Sequence, residues 1–156
     1  MGLDEVSSSG QATVRFTARG HPLISSLHAT TIEITREPHI SERGDCIVAV
    51  GSEYGLKDIP AVMKRTLASE NGRCRLTLKV QDQVFRVQGK GSPSLTFADP
   101  SEIVVRKSGF VSERTLMVYS DMAAMDIPRR MVKLLQDPGE IITIEISATQ
   151  DPPWHR

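Results

Sequence analysis

The sequence predicts a mainly β fold: a sandwich or barrel made of two duplicated β-β-β-α-β halves with two short helices. Three observations predict it. Apolar and polar residues alternate along most of the chain, which is the period of a half-buried strand. The alternation yields to helical spacing in only two places, residues 58–67 and 126–135. The chain also repeats itself. Ser41-Glu42-Arg43 returns 71 positions on as Ser112-Glu113-Arg114, and Asp58-Ile59-Pro60 returns 68 positions on as Asp126-Ile127-Pro128. Phe16, Gly20, Ala29, Glu33 and Ile34 match Phe85, Gly89, Ala98, Glu102 and Ile103 at an offset of 69. Drifts of one or two residues in the offset are loop-length changes, which cost little.

Each element follows from its residues. In 12–19, Val14, Phe16 and Ala18 share one face, and Arg15, Thr17 and Arg19 the other. Residues 30–36 alternate through Ile32 and Ile34, and 46–50 form a continuous apolar run expected to be buried on both faces. Ile59, Val62, Met63 and Leu67 then follow helical spacing, with Asp58 expected as the N-cap and Pro60 in the first turn. Asn71-Gly72 stops that helix, and Cys74, Leu76, Leu78 and Val80 alternate again. After a hairpin turn at Gln81-Asp82-Gln83 the order recurs. Strands are expected at 84–88, 102–106 and 115–119. A helix carries Ile127, Met131, Val132 and Leu135, and the last strand covers 141–146, echoing Leu76-Thr77-Leu78-Lys79-Val80.

A unit of roughly 70 residues would have a thin core alone. The halves, 12–80 and 84–147, are therefore expected to share one core in a single domain, 12–148. Residues 1–11 are Ser/Gly-rich and acidic and read as a disordered tail; 149–156 read as a C-terminal tail that Trp154 can anchor. No apolar run approaches the roughly 20 residues that span a bilayer, so no membrane role is expected. Cys46 and Cys74 sit in apolar runs, fit no zinc spacing and point to reduced thiols in a cytoplasmic protein. The net charge is zero, which argues against a general polyanion binder while leaving room for a local basic face.

Several segments together resemble one archaeal family. They are Ala18-Arg19-Gly20-His21-Pro22, His28-Ala29-Thr30-Thr31-Ile32-Glu33-Ile34-Thr35, Arg43-Gly44-Asp45-Cys46-Ile47, Arg106-Lys107-Ser108 and Arg114-Thr115-Leu116, followed by Asp121, Ala123-Ala124 and Asp126. The family is domain of unknown function 371, and the resemblance spans about 14 to 147. It implies an archaeal source and a jelly-roll-like fold, and it brings no activity or cofactor. Tyr54 and Met122 stand where the family commonly has lysine, so no role built on a lysine there carries over.

Repetition sorts the candidate residues: shared positions read as scaffold, unshared ones as function. Asp58 and Asp126 read as helix caps rather than paired catalytic acids. Glu33 with Arg43, and Glu102 with Arg114, read as cross-strand ion pairs. The sharper alternative has both arginines converging as an anion clamp. His21, His28 and His39 lie in the first half, and Lys90 and Phe97 align with the first two. His21, His28 and Asp45 together suit acid–base chemistry or a metal; singly, each histidine suits a structural role. Cys46 reads as an inert thiol rather than a nucleophile. Gly89-Lys90-Gly91-Ser92 lacks the frame of a phosphate loop. Arg73, Arg75, Lys79 and Arg86 form a basic stripe, either a phosphate grip or a solvated face.

The leading expectation is a domain that binds an anionic ligand, a phosphorylated metabolite or RNA, at a cleft between the halves. His21, His28, Arg43, Asp45, Lys107 and Arg114 are its expected lining. The alternatives are a hydrolase or lyase using His21, His28 and Asp45, with or without a metal, and a structural partner in a larger assembly.

Overall fold

The computed structural model describes residues 3–6, 11–40 and 44–151, with 3–6 as backbone alone. The alternation at 12–19 becomes strand β2 (Ala12–Arg19), whose even-numbered side chains are buried. The same pattern builds β5 (Gly72–Val80), β6 (Gln83–Lys90) and β9 (Ile141–Gln150). With β1 (Leu3–Val6) they form a five-stranded sheet in the order β1-β2-β9-β5-β6. A four-stranded sheet runs β4-β3-β7-β8, from β3 (Thr31–Thr35), β4 (Ile47–Ala49), β7 (Glu102–Arg106) and β8 (Thr115–Met117). Helices α1 (Ala61–Leu67) and α2 (Arg129–Leu135) each follow a 3-10 turn, at Leu56–Asp58 and Ala124–Asp126. The fold is mainly β.

One hydrophobic cluster joins the inner faces of both sheets. Phe16, Leu76, Leu78, Ile144 and Ile146 come from the first, Ile32, Ile34, Ile103 and Leu116 from the second, and Met63, Leu67, Met131 and Leu135 from the helices. Isolated bridges close the circuit between the sheets, Arg19 with Val50 and Lys90 with Val118. The pairs β3–β4 and β7–β8 are parallel, unlike the antiparallel pairings of a jelly roll.

Backbone hydrogen bonds recur in pairs along the chain. The His21 N–H donates to Leu135 and the Ser92 N–H to Leu67; the Glu33 N–H donates to Cys46 and the Val104 N–H to Arg114. The Ser52 N–H donates to Thr35 and the Ser120 N–H to Arg106. Up to Arg36 the partners lie 71 positions apart, and from Gly44 onward 68 apart. The three-residue difference falls between Arg36 and Gly44, the stretch that holds Ser41-Glu42-Arg43. The offset of 69 is therefore corrected by two residues in the first strands. A shift of two leaves every side chain on its own face, so alternation alone cannot detect it. By bonding position His21 corresponds to Ser92, His28 to Asp99, Glu33 to Val104 and Cys46 to Arg114.

Three further expectations change. Residues 3–6, placed in a disordered tail, pair with β2 from Leu3 opposite Arg15 to Val6 opposite Ala12. A strand edge offers backbone partners whatever the side-chain composition. The last strand runs on to Gln150 because it pairs with β2 on one side and β5 on the other. Asp58 and Asp126 do not cap the helices. Pro60 and Pro128 hold those N-cap positions, and the carboxylates instead turn back to accept the Gly55 and Ala123 N–H groups at 2.9 and 2.8 Å.

Gly20 and Gly91 end β2 and β6 against the ends of the helices. A Cβ on Gly91 would meet the Leu67 carbonyl oxygen at 2.1 Å, and one on Gly20 the Asp137 oxygen at 2.2 Å. Gly91→Ala is therefore expected to lower the unfolding free energy by about 1–3 kcal/mol, as overpacking does. A urea midpoint unchanged from wild type would contradict this close approach.

Candidate functional site

The residues singled out from the sequence fall into three places. His28, Asp45 and Lys107 share one end of the β3–β7 pair. The His28 N–H donates to the Asp45 carbonyl, the Lys107 N–H to Thr30 and the Met125 N–H to His28. His28 Nδ1 accepts the Thr30 N–H at 3.2 Å, and Lys107 Nζ lies 3.8 Å from Asp126 Oδ2. At the opposite end Asp99 replaces His28, accepting the Ser101 N–H at 2.8 Å, and Arg36 lies 3.6 Å from Asp58. This is a turn-stabilising arrangement in which the cations sit on carboxylates.

His21 lies elsewhere. Its N–H bonds Leu135 at the C-terminal end of α2, while the His28 carbonyl bonds Met125, ahead of that helix. The seven residues of α2 alone rise about 10 Å. Sequence proximity thus does not bring these imidazoles together, because the loop bearing them runs along α2. Arg129 holds that loop by donating to the carbonyls of Ser25 and Ser26. Among the described residues no three His, Cys, Asp or Glu side chains gather as metal ligands. Arg43 lies outside the described residues.

Arg114 sits on the outer face of the four-stranded sheet between two carboxylates, 2.5 Å from Glu102 and 3.5 Å from Glu33. Arg114 thus forms the ion pair with Glu102 that the sequence offered beside the clamp reading, and its guanidinium is engaged by acids. Only 8% of the Glu33 side chain is exposed. Burial first, then the neighbouring Glu102, raises the Glu33 carboxyl from 4.5 to about 7, outweighing the pull of Arg114. Cys46 lies 3.8 Å from Glu33, and burial with that carboxylate pushes its thiol up to about 11, consistent with an inert thiol. Between pH 4.5 and 7 folded Glu33 holds a proton that the unfolded chain has released, so its contribution to stability falls as pH rises. The unfolding free energy of wild type minus that of Glu33→Gln is expected to drop from pH 5 to pH 8; a pH-independent difference would contradict it.

The third place is the outer face of the five-stranded sheet. A cleft of about 540 Å³ crosses β6, β5 and β9, lined among others by Arg73, Arg75, Gln88, Lys90, Tyr119 and Ser147. Register aligns the cations: Arg73 stands opposite Lys90, Arg75 opposite Gln88 and Thr77 opposite Arg86. Arg73 is neutralised by Asp151 at 2.6 Å, and Arg15 by Glu145 at 2.6 Å. Arg75, Lys79, Arg86 and Lys90 are exposed and have no carboxylate at ion-pair distance among the described residues. Asp121 and Asp151 also line the cleft, and the Asp121 carboxylate keeps its charge while accepting the Gln88 N–H at 2.9 Å, so the lining cations Arg73, Arg75 and Lys90 outnumber the lining acids by one. In a chain of zero net charge this is a local cationic surplus. The basic stripe was readable from alternation. Lys90 and Tyr119 were not, because the cleft needs the β5–β6 register and the turn after β8.

Among the described residues no helix is long and apolar enough to cross a membrane. A family model described as a domain of unknown function, DUF371, matches residues 16–149. An uncharacterized protein of Methanocaldococcus jannaschii is 31% identical over 125 residues, covering 80% of this chain and 92% of that protein. The match runs from β2 into β9 and so takes in both sheets and both helices, and the chain belongs to the DUF371 family.

Proposed function

We propose that this protein binds an anionic ligand, a phosphorylated metabolite or a short stretch of RNA, on the outer face of its five-stranded sheet. We propose further that the two halves descend from one duplicated unit and fold as a single domain around a pseudo-twofold axis between β5 and β9. On that reading the cleft lies where the halves meet, with a lining other than the one expected from the sequence. The observation that carries the reading is the group of exposed cations without carboxylate partners, Arg75, Lys79, Arg86 and Lys90, beside a concave surface. Buried or paired cations are already neutralised; these are free to meet phosphate. Lys107 and His28 rank behind them, because the Lys107 ammonium already faces Asp126. Arg114 ranks last, held between Glu33 and Glu102.

The test is a titration of inorganic polyphosphate and of a labelled RNA octamer at several salt concentrations. Affinity is expected to fall with salt, and Arg75→Glu with Arg86→Glu is expected to flatten the log–log salt slope by about 1 per residue. Both positions are exposed, so the fold should be retained. Wild-type protein that binds neither probe, or a double variant that binds both as wild type does, would sink the reading.

A further inference from the structure

Tyr119 carries an anomaly that the scaffold does not explain. Its φ is +51°, in the left-handed region that bulky residues avoid. The Tyr119 N–H donates to Ser108 as the Gly51 N–H donates to Glu37, so the two residues hold the same place in the two halves. Gly51, at φ +58°, adopts that conformation without penalty. The other non-glycine residues with positive φ have local reasons. Ser26 and Phe97, at +54° and +53°, occupy matching places in the two loops, and Gln81 sits in the β5–β6 hairpin turn. Among the described residues, Tyr119 alone puts a large aromatic at positive φ where its counterpart is glycine.

The ring is not repaid within the molecule. Tyr119 is 61% exposed, and its hydroxyl has no hydrogen-bond partner among the described residues. The phenol lies across Gly109, where a Cβ would come within 2.2 Å of Oη and 2.6 Å of Cζ, so position 109 is open to admit it. Phe110, also exposed, has Arg106 over its ring at 4.9 Å, which leaves Tyr119 as the uncovered aromatic beside the cationic cleft. Backbone strain held at the mouth of a cleft points to use of the side chain there.

We propose that Tyr119 is a stacking platform for a nucleobase, and that the ligand of the basic cleft is a nucleotide unit whose phosphate lies against Arg75 and Lys90. This rests on the anion-binding reading and narrows it. Every base offers a π-face, so an aromatic beside cations grips a nucleotide without choosing its sequence. The unit can come from a free nucleotide or from a single strand of RNA, and the two sources share this chemistry.

The experiment compares wild type, Tyr119→Phe and Tyr119→Asn against three probes: a uridine octamer, uridine monophosphate and inorganic polyphosphate. Asparagine tolerates the left-handed backbone, so the variant keeps its fold. Tyr119→Asn is expected to weaken the base-bearing probe by about tenfold or more, Tyr119→Phe to bind it like wild type, and polyphosphate binding to stay unchanged in both. Octamer bound far more tightly than the monophosphate identifies the source as single-stranded RNA; comparable affinities identify a free nucleotide. If Tyr119→Asn binds all three probes as wild type does, or loses polyphosphate as much as octamer, the stacking role is overturned while anion binding stands. If wild type binds none of the three, both readings fall.

Discussion

The fold depends on the antiparallel ladder between β5 and β9. It pairs the last strand of the first half with the last strand of the second, from Gly72 opposite Gln150 to Lys79 opposite Thr143. Neither half could bury its apolar face alone, because a unit of about 70 residues has too little interior. The ladder sets Leu76 opposite Ile146 and Leu78 opposite Ile144, all four fully buried, and the helices pack beneath them. On its other face the same ladder presents Arg75, Lys79, Glu145 and Ser147. A single set of backbone bonds thus builds the center of the core and the floor of the cleft, and the period of two keeps them on opposite sides.

The matched hydrogen bonds separate what the halves share from what they do not. The bridges at Arg19 and Lys90 and the side-chain acceptors Glu53 and Asp121 have counterparts, which marks them as scaffold. The Glu33–Arg114–Glu102 group has none: the matching positions are Val104, Cys46 and Thr31. It buries one carboxyl beside another with a single arginine between them. Such an arrangement stabilises most when one proton is retained. The basic cleft is unshared as well, since only the second half has Tyr119 in place of glycine.

From β2 onward strand identity was legible in the sequence because burial follows alternation, and so was the β-β-β-α-β order that runs from β2 to β5 and again from β6 to β9, whereas β1 carried no such signal. The register of the repeat was not. Matching Phe16 with Phe85 and Glu33 with Glu102 kept faces right and positions wrong by two, and the pairing of Arg43 with Arg114 rested on a segment where the halves differ in length. The Asp58 and Asp126 anchors, 68 apart, carried the correct offset for the later elements and set Tyr119 against Gly51. Side-chain gatherings remained hidden because they depend on how loops cross helices. His21 and His28 share a loop, but Arg129 and Gln136 hold that loop along α2 by its carbonyl groups.

The way the two sheets are joined has a consequence for the cleft. Full ladders run within each sheet, but from sheet to sheet the chain is stitched by two residue pairs at each seam, Arg19 with Val50 and Thr17 with Glu53 at one, Lys90 with Val118 and Gln88 with Asp121 at the other. The first pair at each seam exchanges two backbone bonds, and the second exchanges one backbone bond and one backbone-to-carboxylate bond, each worth about 0.5–1.5 kcal/mol. Lys90 belongs both to a seam and to the cleft lining, and Tyr119 directly follows Val118. The bonds that join the sheets at that seam therefore also space the wall of the basic cleft, so its mouth is held by the joint between the sheets.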